Sequence, residues 1–314
     1  MVKDLCVAAA QFENRSGDKE YNLSVIDELS SRAGRLGARV ILFHEQSVTG
    51  YTFLKGLDRD GLRRLAEDIP GGASLTRLME ISSRHNIAII AGILEKENEK
   101  IYKAMVCVSG NKLLAKFRKL HPFINPGISP GNEYVIFDID DWKCSILTCY
   151  DNNVIENVRA VTLLGAQILF APHVTMCTPS PMPGRGFVDH ELWRNRHRDP
   201  VTLRMEFDGP KGRQWLIRWL PARAFDNGIY IVFSNAIGMD GDQLKNGIGM
   251  ILDPYGEILT ETRSFENEVV VARCTPEKLT LAGGYRYRNA RRPELYKEIL
   301  SQPNDSVVKP VWMQ

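Results

Sequence analysis

Residues 139–172 leave this chain little choice of fold. An apolar run, 139–148, ends at Cys149-Tyr150-Asp151. Val154, Ile155, Val158, Val161, Thr162 and Ala166 follow at spacings that put them on one side of a helix. A second apolar run, 167–172, predicts the next buried strand. Strand, helix and strand in that order make a β-α-β unit with Cys149 at its strand-to-helix turn. Such a turn lifts a thiol clear of the sheet and sets it beside a helix N-terminus, where the dipole lowers a thiol pKa. The backbone N–H groups there can also receive an oxyanion. Most free cysteines are simply small buried hydrophobes, so the case for this one rests on the rest of the chain.

Strand-like runs recur at 5–11, 38–43, 87–94, 134–139, 229–234, 249–253, 256–261 and 269–274, with a hairpin at 101–108 and 112–117 around Gly110-Asn111. Helical patterns cover 22–36, 62–67, 75–85, about 189–198 and 215–228, and 124–132 is a loop rich in Gly, Pro and Asn. Strands alternating with helices, with hairpins interleaved, predict a layered α/β fold. No linker interrupts the 314 residues, so one domain is expected over 1–314. A hydrophobic content of 44% supports a large core, and a net charge of +2 gives no general attraction to nucleic acid or membrane. Six cysteines without CxxC spacing argue against a zinc site or a disulfide scaffold. With no signal peptide and no spanning stretch read in the sequence, the expected location is cytoplasmic.

Three ionisable residues share one context. Glu45 follows the apolar run 40–43, Lys119 follows 112–117, and Cys149 follows 146–148. Ligand sites of α/β sheets gather at the carboxyl ends of strands. Around these residues stand Phe43-His44-Glu45 with Thr49-Gly50-Tyr51, Arg118-Lys119-Leu120-His121, and Cys149-Tyr150-Asp151 with Glu156. Leu164-Gly165-Ala166, Ala171-Pro172, Arg223-Ala224 with Asn227, Asn235, Asp253-Pro254-Tyr255-Gly256 and Arg292-Pro293-Glu294-Leu295-Tyr296 extend the pattern. Over nearly its whole length the chain resembles the nitrilase (carbon–nitrogen hydrolase) superfamily, in particular its amidase-like branches.

That resemblance implies a four-layer α-β-β-α sandwich and hydrolysis of a non-peptide C–N bond in an amide or N-carbamoyl compound. Cys149 would be the nucleophile, Glu45 the general base and acid, and Lys119 with the Tyr150 N–H the oxyanion donors. Tyr51, Asn125 and His173 are further candidates for the pocket. A nitrile is the alternative substrate, although Tyr150-Asp151 looks less like the nitrilase branch. A non-catalytic relative would be expected to lack one of the three residues, and all are present. His44, His121 and His173 are the candidates for a rival Cys–His mechanism. No metal or cofactor is implied. The partner is a small molecule, and the assembly expected is a homodimer or higher homo-oligomer.

Departures matter too. Many members carry a second glutamate between the lysine and a segment that here reads Pro130-Gly131-Asn132. No acid lies in 122–129, and Asn125 stands near the expected place. An insert at about 177–213 is expected to narrow the pocket entrance, with Pro179, Pro181 and Pro183 stiffening it and Phe187 and Trp193 closing over substrate. A polar, Arg-rich tail from about 275 is expected to lie over a neighbouring subunit.

Overall fold

Strand β1 (Leu5–Gln11) buries every side chain except that of Cys6, as a strand packed on both faces does. The structure, a computed structural model, describes residues 2–175, 177 and 186–302. Asp18 caps α1 (Lys19–Arg35) by accepting the Tyr21 N–H, and the helix turns Leu23, Ile26, Leu29 and Ala33 inward. Next come β2 (Val40–Leu42), α2 (Arg59–Leu65) and α3 (Ala73–His85). Asn86 ends α3 in the left-handed conformation, φ 51°. β3 (Ala88–Glu97), β4 (Lys100–Ser109) and β5 (Lys112–Arg118) form an antiparallel run.

The second half repeats the plan. β6 (Phe137–Ile139) and β7 (Trp142–Ile146) precede α4 (Ile155–Leu163) and β8 (Ile168–His173). The insert holds α5 (His190–Arg194) and α6 (Pro200–Asp208). After α7 (Arg213–Ile217) and α8 (Leu220–Asn227) come β9 (Tyr230–Asn235), the hairpin β10 (Ile237–Asp240) and β11 (Gln243–Asn246), then β12 (Gly249–Leu252), β13 (Ile258–Glu261) and β14 (Glu268–Cys274). The tail forms α9 (Pro276–Leu281), α10 (Gly283–Asn289) and α11 (Lys297–Leu300).

Two six-stranded sheets result, ordered β14-β1-β2-β3-β4-β5 and β13-β12-β9-β8-β7-β6. Each has three parallel strands in its middle, β1-β2-β3 and β7-β8-β9. Val7, Val40, Ile90 and Met105 of one sheet share a core with Ile146, Phe170, Val232 and Met250 of the other. Leu29 of α1 and Leu78 and Ile81 of α3 cover the outer face of the first sheet, and Val158, Val161, Leu220 and Ala224 of α4 and α8 cover the second. The layers are therefore α-β-β-α, as the resemblance implies. Each fully buried Val, Leu or Ile contributes about 1.5–3 kcal/mol, so this shared core is what clamps the two strand-end clusters together.

Some expectations change. The helix expected from Val154 begins at Ile155, but Cys149 does not adjoin it: a 3₁₀ turn, Cys149–Asn152, lies between them. The helix expected over 215–228 is two helices, because Pro221 has no N–H to continue one ladder across the join. Helix α6 and the hairpin β10–β11 escaped the periodicity reading; four-residue strands carry too few alternations to register. Trp193 does not close over a substrate. It is buried in a core that the insert shares with β10–β11 and Phe265, its ring 6.4 Å from Phe207 and 6.5 Å from Phe265, with the Arg196 guanidinium 4.2 Å above it. Phe187 is exposed. Pro179, Pro181 and Pro183 lie outside the described residues.

Candidate active site

Glu45, Lys119 and Cys149 each leave the carboxyl end of a strand, β2, β5 and β7 respectively. The first two belong to one sheet and the third to the other, so face-to-face packing brings them together. Close backbone contacts fix the loops. A Cβ at Gly92 would lie 2.2 Å from the Gln46 N, so only glycine lets the Glu45 loop rest on β3. There the Val48 N–H donates to Gly92 O at 3.0 Å, and Gln46 takes φ 55°. At Gly131 a Cβ would meet Arg118 O at 2.2 Å; its own N–H donates to Lys119 O at 2.8 Å. Cys149 itself sits at φ 54°, a left-handed conformation costly for a side-chain-bearing residue and held by its surroundings.

Asp151 is the strut between the lysine and cysteine loops. Its carboxylate accepts the N–H groups of Leu120 at 3.3 Å and His121 at 2.9 Å on one side, and of Thr148 at 3.2 Å on the other. Arg223 of α8 braces the same turn, donating to the carbonyls of Asn152 and Asn153 at 3.1 Å each. Asp240 of β10 does similar work for Tyr51: it accepts the N–H groups of Tyr51 at 3.3 Å and Thr52 at 2.9 Å. The insert packs on that hairpin through Ile237 and Leu244.

The centre is closed from solvent: Glu45 and Lys119 are 1% exposed and Cys149 6%. Lys119 Nζ lies 2.8 Å from Glu45 Oε1. Glu45 Oε2 is buried with no hydrogen-bond partner among the described residues. Burial is the largest influence on the Lys119 ammonium and opposes it, yet Cys149, Glu45 and Asp151 together hold its pKa above the ordinary lysine value. Burial likewise dominates at Cys149 and raises its thiol pKa, against the pull of Lys119, the Val174 N–H and Lys103. That reverses the expectation from a helix N-terminus. The turn is a single 3₁₀ turn with little dipole, and desolvation outweighs it.

The other candidates fall in different places. Tyr51 is buried beneath the site, its ring 5.9 Å from Lys119 Nζ. Tyr150 occupies the first turn of the 3₁₀ helix, where a backbone N–H has no partner within the helix. Asn125 spends its side chain on backbone, donating to Leu54 O and Leu57 O at 2.8 Å and accepting the Gly127 N–H at 2.8 Å. His173 is buried, with Nε2 3.2 Å from Asn152 Nδ2 and Nδ1 without a partner among the described residues. Burial holds its pKa well below the usual imidazole range and pushes that of His44 down to about 3. His121 is bound to Asp151, its Nδ1 2.8 Å from Oδ1.

Sequence reasoning missed Asp151 and Asp240 as struts and Lys103 as a member of the cluster. Lys103 carried a signal, a lone lysine inside the apolar run 101–108.

The chain as a whole is similar to known proteins. The model of the carbon-nitrogen hydrolase family matches residues 6–283. A nitrilase of Pyrococcus abyssi is 26% identical over 275 residues, covering 87% of this chain and 89% of its own. An N-carbamoylputrescine amidase of Solanum lycopersicum is 25% identical over 320 residues, covering 96% and 97%. Among solved structures, an amidase of Nesterenkonia AN1 from the nitrilase superfamily superposes with a TM-score of 0.70 at 21% identity, over 95% of this chain and 98% of its own.

Proposed function

Because the chain belongs to the carbon–nitrogen hydrolase family, we propose that Cys149, Glu45 and Lys119 hydrolyse a small amide or N-carbamoyl compound. The supporting observation is the buried Lys119–Glu45 pair with one carboxylate oxygen left over. The raised thiol pKa keeps Cys149 protonated at rest, so attack needs a base. Imidazoles that resist protonation, such as those of His44 and His173, make poor thiol bases. Glu45 takes the thiol proton as Cys149 Sγ attacks the carbonyl carbon. Lys119 and the Tyr150 N–H receive the negative charge on the former carbonyl oxygen. The intermediate collapses to a thioester as Glu45 passes the proton to the departing ammonia or amine. Glu45 then activates water, which releases the acid and restores the thiol. The substrate must fit a closed centre, which favours small compounds.

The deciding experiment follows ammonia and amine release from a panel of amides, N-carbamoyl compounds and nitriles. Amides and N-carbamoyl compounds are expected to turn over fastest. Hydrolysis of nitriles alone would replace this substrate class with the nitrilase reading.

The active form is a homodimer in this reading. Phe225 on α8, Leu281 at the end of α9 and Tyr285 and Tyr287 on α10 are exposed apolar side chains, and Leu295, Ile299 and Leu300 continue the series along the tail. An apolar patch of this kind marks an interaction surface. Light scattering is expected to give twice the chain mass; a monomer at micromolar concentration would contradict it. The location proposed is cytoplasmic, since cysteines scattered without a disulfide-scaffold spacing suit a reducing compartment. Fractionation that found the protein outside the cytoplasm would end that reading.

A further inference from the structure

Lys103 stands mid-strand in β4, in a stretch where every residue from Ile101 to Val108 is buried. Its ammonium lies 3.5 Å from Glu45 Oε1, the oxygen that Lys119 holds at 2.8 Å. It also donates to Phe123 O at 2.9 Å and rests 4.0 Å from the centre of the Tyr51 ring. Its side chain is 1% exposed. An ion in such a place costs several kcal/mol of desolvation before its partners answer, and Glu45 already has a lysine. We propose that Lys103 is a positioning residue of the active site, a second cation whose charge holds Glu45 as the carboxylate that takes the Cys149 proton. The proposal rests on the catalytic reading of Glu45 given above.

The two lysines are not equivalent. Lys119 has the Phe123 ring 4.9 Å from its ammonium and feels the Cys149 charge most strongly after burial, which suits an oxyanion donor. Lys103 is tethered to the Phe123 carbonyl and cannot follow a moving charge. The tether also anchors the loop whose Phe123 ring packs 5.1 Å from that of Tyr150. Four groups face Lys103: Glu45 after β2, Lys119 after β5, Cys149 after β7, and Tyr51. Burial lowers its pKa most, Glu45 and Cys149 raise it and Lys119 lowers it, to about 7 in all. Lys103 is therefore charged on the acid side of neutrality, where protonation of the base would otherwise stop the reaction. A cation this close to a carboxylate favours its charged form.

The test reads the rate of Cys149 alkylation by a haloacetamide against pH, located by mass spectrometry, together with turnover. Wild type should lose reactivity below an acid limb. Glu45→Gln should remove that limb; if the limb stays, Glu45 is not the base and the catalytic reading fails first. With that control satisfied, Lys103→Met should move the limb up by about one unit or more. Lys103→Gln, which can still donate to Phe123 O, should move it equally, and it decides the matter if the Met variant does not fold. Lys103→Arg should leave the limb in place even if its bulk slows the reaction. A limb unmoved in the folded neutral variants overturns the proposal and leaves Lys103 as a tether for the Phe123 loop.

Discussion

Cys149→Ala is expected to abolish turnover while the protein keeps its fold. A methyl group cannot attack carbon, and loss of a nucleophile that acts with its base costs about 10⁶ in kcat. The fold should survive because the turn is held by groups other than the thiol. Asp151 and Arg223 supply its hydrogen bonds, and Asn152 Nδ2 donates to Leu147 O at 2.6 Å. Alanine also removes a buried thiol whose ionisation is disfavoured by desolvation. The measurement is ammonia release alongside thermal melting. Turnover above trace levels in a folded Cys149→Ala protein would remove Cys149 from the reaction.

Lys119→Met is expected to cost about 10²–10³ in kcat, the loss seen when one oxyanion donor is removed. Stability should fall as well, because breaking a buried ion pair leaves a charge poorly answered, a cost of about 3–5 kcal/mol. Lys103, 3.5 Å from the same oxygen, should soften that second loss. Glu45→Gln should lower kcat at least as far, since the glutamine cannot accept the thiol proton. Steady-state kinetics separates the cases: a rise in KM with kcat unchanged would mean that Lys119 binds substrate without stabilising the transition state. The large effects thus fall on three residues that the chain keeps far apart and packing brings together.

How much of this was legible beforehand depends on the range of the physics involved. Glu45, Lys119 and Cys149 could be singled out because each directly ends an apolar run, and the motifs around them gave the family and the layered fold. The 3₁₀ turn between Cys149 and α4 was not legible. The apolar spacing from Val154 onward suits a helix whether or not Cys149 begins it, and Asn152 and Asn153 give no period. Trp193 looked like a pocket wall because the Phe207 and Phe265 that enclose it lie 14 and 72 residues further on. Asn125 resembled a substrate contact by position, yet the carbonyls that claim it belong to Leu54 and Leu57.

By itself the sequence determined the strands of the two large sheets and the order and chemical types of Glu45, Lys119 and Cys149, because apolar period and side-chain type are local properties. Tertiary structure decided the sign of the Cys149 pKa shift, the sharing of one Glu45 oxygen between two lysines, and the use of Asp151 and Asp240 as struts. Those depend on desolvation and on charges brought within a few ångströms across two sheets. Lys103 and Glu45 are 58 positions apart in the chain, and only the assembly of one sheet, with β3 between β2 and β4, sets the distance between them.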